Sequence, residues 1–336
     1  MRAAVLVKAG QVELEERPAP RPGPGEVLVD VRAVGVCGSD VHYYEHGRIG
    51  EFVVEAPLVL GHESAGVISA VGDGVTGLSV GQRVSVEPGV PCRSCPQCLA
   101  GRYNLCPDMR FFATPPIDGA FAEQVVVHSA FAHPVPDSMS DDAAALLEPL
   151  SVVVWACRKG RVGPGSRVLV TGAGPIGLVA VQTALAFGAT EVVVSDVNPA
   201  RLELARALGA TELVDARSSS VTDVAPPSVL LECSGFPPAI NEGIRALDRA
   251  GRAVLVGMGG DEIPLPLSAV QNRELELTGT FRYANTWPTA IALVSAGRVD
   301  LDRLVTGHYG LADAESSLTV ARTDPSSVKV IVHPDR

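Results

Sequence analysis

Four of the chain's seven cysteines, Cys92, Cys95, Cys98 and Cys106, fall within fifteen residues, in the order Cys92-Arg93-Ser94-Cys95-Pro96-Gln97-Cys98 and then Cys106. Thiols spaced this closely can surround one tetrahedral ion, and the pattern predicts a zinc site. Disulfides are the alternative. Thiols two residues apart pair under strain, however, and Met1 to Lys8 holds too short an apolar run for a secretory leader. Four protein ligands leave no coordination position open, so this ion folds a loop, and the chemistry must be sought elsewhere in the chain.

At 336 residues there is room for about two domains with full cores. No run of eighteen apolar residues interrupts the sequence, which predicts a soluble, cytoplasmic protein with no membrane span. The formal charge of -11 repels phosphate backbones, and no Lys/Arg cluster offsets it, so a zinc-ribbon reader of nucleic acid is disfavoured.

The first 150 residues read as β-rich, with β-branched runs at Val27 to Val34, Val67 to Val71, Arg83 to Val86 and Phe121 to Val127 between glycine and proline clusters. The proline-rich stretch Arg17 to Gly25 reads as a stiff connector between strands. Asp141-Asp142 signals a helix start, and the texture changes near residue 150. From Gly165 strands and helices alternate: Arg167 to Thr171, a helix stopped by Gly188, Glu191 to Ser195, and a helix from Pro199 stopped by Gly209. Further strand-like runs lie at Val229 to Cys233, Ala253 to Val256 and Leu275 to Thr278. This is the punctuation of a doubly wound, six-stranded parallel sheet. The expected organisation is a β-rich catalytic domain, 1–150 with 282–336, and a nucleotide-binding domain, 151–281.

Gly172-Ala173-Gly174-Pro175-Ile176-Gly177 lies between a hydrophobic strand and an apolar helix, where the glycines allow a tight turn and close approach of a pyrophosphate to the helix N-terminus. The next strand ends at Asp196, placed to accept hydrogen bonds from an adenosine ribose. Its alternative role is a cap for the helix at Asn198-Pro199. A carboxylate there opposes a 2′-phosphate, which predicts NAD rather than NADP, with Arg201 close enough to soften the discrimination.

Three further segments hold metal-ligand types: Cys37-Gly38-Ser39-Asp40-Val41-His42, Gly61-His62-Glu63 and Glu148-Pro149. Each is commonplace alone, and spacing does not establish that they converge. Taken together with the cysteine lobe and the nucleotide fold, they make the chain resemble the zinc-dependent medium-chain alcohol dehydrogenases along essentially its whole length. Within that family the likeness is to the sorbitol and xylitol dehydrogenases. It is carried by Cys37 to Gly50, Gly101-Arg102-Tyr103-Asn104-Leu105, Ala113-Thr114-Pro115-Pro116, Glu148-Pro149-Leu150-Ser151-Val152 and Phe281-Arg282-Tyr283-Ala284-Asn285-Thr286-Trp287-Pro288. Animal sorbitol dehydrogenases look depleted of the lobe cysteines; this chain keeps all four.

The resemblance implies a GroES-like catalytic domain beside a Rossmann domain and two zinc ions per chain. Cys37, His62 and Glu63 would hold the catalytic zinc, with Glu148 a fourth ligand or a partner of its water. Ser39 and His42 would relay a proton. Tyr43, Phe111, Phe112, Thr114, Arg282 and Tyr283 would line a polyol substrate. Gly172, Gly174, Pro175, Ile176, Gly177, Asp196, Arg201, Val256, Gly257, Met258, Phe281 and Arg282 would contact NAD. The implied activity is oxidation of a secondary hydroxyl of sorbitol, xylitol or a related alditol to the ketose, by a homotetramer or dimer. Threonine or simple alcohol dehydrogenation and a non-catalytic nucleotide-binding scaffold are the competing readings.

Overall fold

A computed structural model describes residues 1–260 and 262–336. The chain packs as two compact units, Met1–Glu148 with Leu301–Arg336, and Pro149–Asp300.

In the first unit the organising element is the strand Glu26–Gly35. It pairs antiparallel with Glu63–Val71, with Gln124–His128 and with the C-terminal strand Lys329–His333. Alternate residues Val27, Val29 and Val31 point into the core, as the period of a half-buried strand requires. The seven-stranded sheet so formed is joined by Arg83–Val86, Ala132–Pro134 and Val305–Gly310. The Arg17 to Gly25 stretch is the connector leading from strand Gln11–Glu16 into Glu26–Gly35. The helix signal at Asp141-Asp142 is realised as Asp141–Ala145, with the Ser140 hydroxyl accepting from the Ala143 amide at 2.9 Å.

The second unit is a six-stranded parallel sheet. Its order is Glu212–Asp215, Glu191–Asp196, Arg167–Thr171, Val229–Glu232, Arg252–Leu255 and Glu276–Gly279, the 3-2-1-4-5-6 arrangement of dinucleotide-binding folds. Five of these strands stand out in the sequence as apolar runs. Glu212–Asp215 does not, because it is a short edge strand with only Val214 buried. Helices Pro175–Ala186 and Pro199–Ala207 are followed by Gly188 and Gly209, whose φ values of 103° and 109° favour glycine there.

Residues 282–300, expected with the β-rich domain, pack inside the second unit. Trp287 is buried at the start of helix Trp287–Ser295. Arg158 donates to the Asn285 carbonyl and the Thr289 hydroxyl, and the Gln182 side chain bonds the backbone of Asp300 at both its amide and its carbonyl. Among the described residues no helix is long and apolar enough to cross a membrane.

Candidate metal centres and nucleotide site

Cys37 is the N-cap of helix Gly38–His46, and His62 and Glu63 lead into the strand Glu63–Val71. One side chain fixes both segments. The Asp40 carboxylate, fully buried, accepts from the Cys37 amide through Oδ2 and from the Gly61 amide through Oδ1, each at 2.9 Å. Its Oδ1 also lies 3.6 Å from His62 Nδ1. Burial works against the Asp40 charge, but His62 and the two amides outweigh it and hold the carboxyl below its usual range.

The result is that Cys37, His62 and Glu63 each bring a ligating atom within 4.8 Å of the others. Glu63 Oε1 accepts from Lys329 Nζ at 2.6 Å, while Glu63 Oε2 is buried with no hydrogen-bond partner. A buried carboxylate oxygen left unsatisfied is costly unless a cation completes it. Desolvation opposes a proton on His62, yet the nearby Asp40 and Cys37 raise its pKa well above the usual value, so this cluster attracts positive charge. Two charged ligand types and an imidazole, three protein ligands rather than four, are the donor set of a catalytic rather than a structural zinc. Glu148 stands outside this trio, buried at the second position of helix Leu147–Gly160. It is near enough for its charge to act on Lys329.

Cys92, Cys95, Cys98 and Cys106 converge in the same way, all within 4.8 Å. Backbone amides point at their sulfurs: Cys95 at Cys92 and Cys92 at Cys106, both 3.3 Å, and Cys98 at Cys95, 3.5 Å. Amides of Ser94 and Cys95 bring the Cys92 thiol down to about 6, while burial and the neighbouring thiols push Cys98 up to about 12 and burial raises Cys106, so without a cation the four sulfurs do not all carry charge together. The tetrathiolate arrangement therefore fits a closed zinc site. Cys157, buried, and Cys233, half-buried, lie in the second unit apart from both clusters, and burial pushes both thiols up.

The three glycines of the nucleotide loop differ in why they are glycine. Gly172 has φ 86°, and a Cβ on Gly177 would stand 1.8 Å from the Gly172 carbonyl oxygen. Gly174 meets neither constraint: a Cβ there touches nothing within 4 Å. It sits ahead of Pro175–Ala186 with no side-chain cap, so the helix N-terminus faces open space and suits an anion such as pyrophosphate. Asp196 accepts from the Ala173 amide at 2.6 Å and from the Asn198 amide at 2.7 Å. It is not the cap of the following helix; Asn198 is, accepting from Ala200 and Arg201. Val197, Phe236, Met258 and Phe281 are large, exposed apolar residues that follow the C-terminal ends of four of the strands, where ligands of open α/β sheets bind. Val256 and Gly257 sit half-buried beside them.

Of the remaining predicted positions, Ser39 is half-buried and His42 exposed on the first two turns of helix Gly38–His46, with the His46 ring edge-on at 4.5 Å. Phe111 is buried with its ring 5.8 Å from that of His62; Phe112 and Thr114 are half-buried, and Tyr43 is buried. In the second unit Arg282, at φ 52°, lies over the Phe281 ring, and Tyr283 packs against Trp287. Two residues that the sequence reading passed over are central to the first unit's cluster, Asp40 and Lys329. Asp40 had a signal, since it stands three residues after Cys37 in a capping-box position. Lys329 had a fainter one, a lone cation inside the apolar run Val328 to Val332.

A β-rich unit with a three-ligand metal cluster and a separate tetrathiolate, joined in one chain to a dinucleotide fold, defines a metal-dependent dehydrogenase. Residues 23–137 match the alcohol dehydrogenase GroES-like domain, and residues 175–296 match the zinc-binding dehydrogenase model. Sorbitol dehydrogenase of Bacillus subtilis is 42% identical over 345 residues, covering 100% of this chain and 98% of that protein. Sorbitol dehydrogenase of Gallus gallus is 43% identical, covering 99% and 96%. Among solved structures, L-idonate 5-dehydrogenase of Escherichia coli superposes with a TM-score of 0.90 at 31% identity, covering 99% of this chain and 97% of that one. The chain belongs to the zinc-binding, GroES-like alcohol dehydrogenase family.

Proposed function

We propose that the protein is an NAD-dependent polyol dehydrogenase that oxidises a secondary hydroxyl of sorbitol, xylitol or a related alditol to the ketose. The observation that carries the reading is the buried, unpartnered Glu63 Oε2 beside Cys37 and His62, in a chain more than 40% identical end to end to two sorbitol dehydrogenases. Cys37, His62 and Glu63 would hold one zinc and the four lobe cysteines a second. When bound, the first supplies Lewis acidity toward a substrate hydroxyl, and the nicotinamide supplies a hydride acceptor.

The chain's own groups do the rest. Asp40 orients His62 and locks both ligand segments. Lys329 holds Glu63 by one oxygen so that the other is free to ligate, and Glu148 adds negative charge nearby. The Ser39 hydroxyl and the exposed His42 imidazole, one turn apart, suit passage of the substrate proton to water. Tyr43, Phe111, Phe112, Thr114, Arg282 and Tyr283 are assigned to the substrate; polar groups among them favour a polyol, because a simple alcohol leaves them unpaired. Gly174 and the helix behind it are assigned to pyrophosphate and Asp196 to the ribose, with Val256, Gly257, Met258 and Phe281 flanking the cofactor. Thiolates assigned to zinc at Cys37 and in the lobe suit a reducing, cytoplasmic setting, and the family resemblance supports a homo-oligomer.

The test is NADH formation by zinc-replete protein with sorbitol, xylitol, other alditols, threonine and ethanol, alongside metal analysis. Preference for an alditol with two zinc ions per chain is expected. Turnover confined to threonine or ethanol overturns the substrate assignment, and silence with a single zinc overturns catalysis.

A further inference from the structure

A third convergence in the first unit involves none of these residues. Asp142 lies in the first turn of helix Asp141–Ala145, His308 on strand Val305–Gly310 and His333 at the end of strand Lys329–His333. One ligating atom from each falls within 4.8 Å of the others. His333 Nδ1 is 2.8 Å from the Arg32 carbonyl oxygen. A carbonyl only accepts, so Nδ1 carries the hydrogen, and in the neutral ring Nε2 presents a lone pair.

That Nε2 is buried, in a residue 8% exposed, and it has no hydrogen-bond partner. Facing it at 3.3 Å, outside hydrogen-bonding geometry, is Asp142 Oδ1. The other carboxylate oxygen, Oδ2, accepts from His308 Nε2 at 2.7 Å. Two electron-rich atoms thus confront one another in a largely buried setting, an arrangement that is unfavourable until a cation stands between them.

We propose that Asp142, His308 and His333 form a binding site for a divalent transition-metal ion. Two imidazoles and a carboxylate suit Zn2+, Ni2+, Co2+ or Cu2+ rather than Ca2+ or Mg2+, which take oxygen ligands. Two ligands each ~2.0–2.1 Å from a tetrahedral ion stand about 3.3 Å apart, and His333 Nε2 and Asp142 Oδ1 have that separation. The bond from His333 Nδ1 to a backbone carbonyl is the outer-shell contact that fixes the tautomer of a metal-bound histidine. His308, with its side chain 42% exposed, provides the way in. An ion held here clips the C-terminal strand pair to the helix that precedes Glu148, so its effect is on stability.

The experiment uses the full-length, zinc-loaded protein, desalted and titrated with Ni2+ at about pH 7.5, where an ordinary imidazole of pKa ~6.5 is neutral. Calorimetric uptake and the shift of the thermal midpoint are read for the native chain, His308→Ala and Asp142→Asn. His308 is exposed, so its truncation leaves the core intact. The expected result is one Ni2+ per chain that raises the midpoint, with affinity reduced at least about tenfold in both variants while zinc content is unchanged. No uptake by the native chain overturns the site. So does uptake that survives either substitution, which would place the ion on the His42–His46 pair or in exchange at a cysteine site.

Discussion

Lys329 Nζ donates to Glu63 Oε1 at 2.6 Å, joining residues 266 apart in sequence whose side chains are 4% and 1% exposed. Burial alone would depress the lysine, but Glu63, Cys37 and Glu148 outweigh it and raise its pKa. In the zinc-free protein, removing the cation leaves Glu63 buried and uncompensated. Lys329→Met is expected to cost about 3–5 kcal/mol in urea unfolding, and adding Glu63→Leu to restore much of that loss. A loss below about 1 kcal/mol would show that the pair is not shielded from water.

Asp40 acts on both ligand segments at once, so its effect should appear in metal affinity. Asp40→Asn is expected to weaken zinc retention by roughly 10–100-fold in chelator competition, with lobe zinc unaffected. Equal loss from both centres would mean that the unit had unfolded.

The two metal clusters should fail differently. Cys37→Ser is expected to abolish turnover while NAD binding persists, as followed by cofactor fluorescence. Cys95→Ser should lower the thermal midpoint before it lowers the specific activity of the folded fraction. Full activity in Cys37→Ser would remove that residue from the metal set.

Asp196 accepts two loop amides, and on the proposed ribose assignment its carboxylate would oppose a 2′-phosphate. Asp196→Ala should raise the ratio of kcat/KM for NADP to that for NAD by at least about tenfold. An unchanged ratio would dissociate Asp196 from cofactor choice.

Tyr44 donates to Glu315 Oε1 at 2.6 Å, and this bond to a carboxylate, aided by burial, raises the phenol's pKa. A raised pKa adds stability that is fully present below the unfolded value of about 10 and is lost as pH climbs through the folded value. The native chain should therefore weaken above pH ~10 more steeply than Tyr44→Phe, which gives up about 1.5–3 kcal/mol at neutral pH. Parallel alkaline limbs would refute the linkage.

Much of this architecture was legible because its signals are local. The Gly172 to Gly177 turn, the four lobe cysteines and the stop glycines Gly188 and Gly209 each depend on residues a few positions away. The strand Glu212–Asp215 was hidden because an edge strand buries too little to show a pattern. Segment 282–300 carries no local mark of the unit it joins, and what decides its place is Arg158 and Gln182, more than a hundred residues earlier. Asp40 and Lys329 are ordinary residues in the sequence. Their meaning comes from the Gly61 amide and the Glu63 carboxylate, which only the folded sheet brings to them.

The strand that carries Lys329 inserts between Glu26–Gly35 and Val305–Gly310, so a segment made roughly three hundred residues after Glu26 completes the sheet which that residue begins. At roughly 5–20 residues per second, synthesis of the 266 residues from Glu63 to Lys329 takes roughly a quarter of a minute to a minute. For that interval Glu63 lacks its lysine partner. The nascent amino-terminal half must wait, while the Pro149–Asp300 unit, whose last sheet strand ends at Gly279, can finish folding first. A chain interrupted between Asp300 and Lys329 would hold the whole nucleotide-binding unit and an unfinished metal centre.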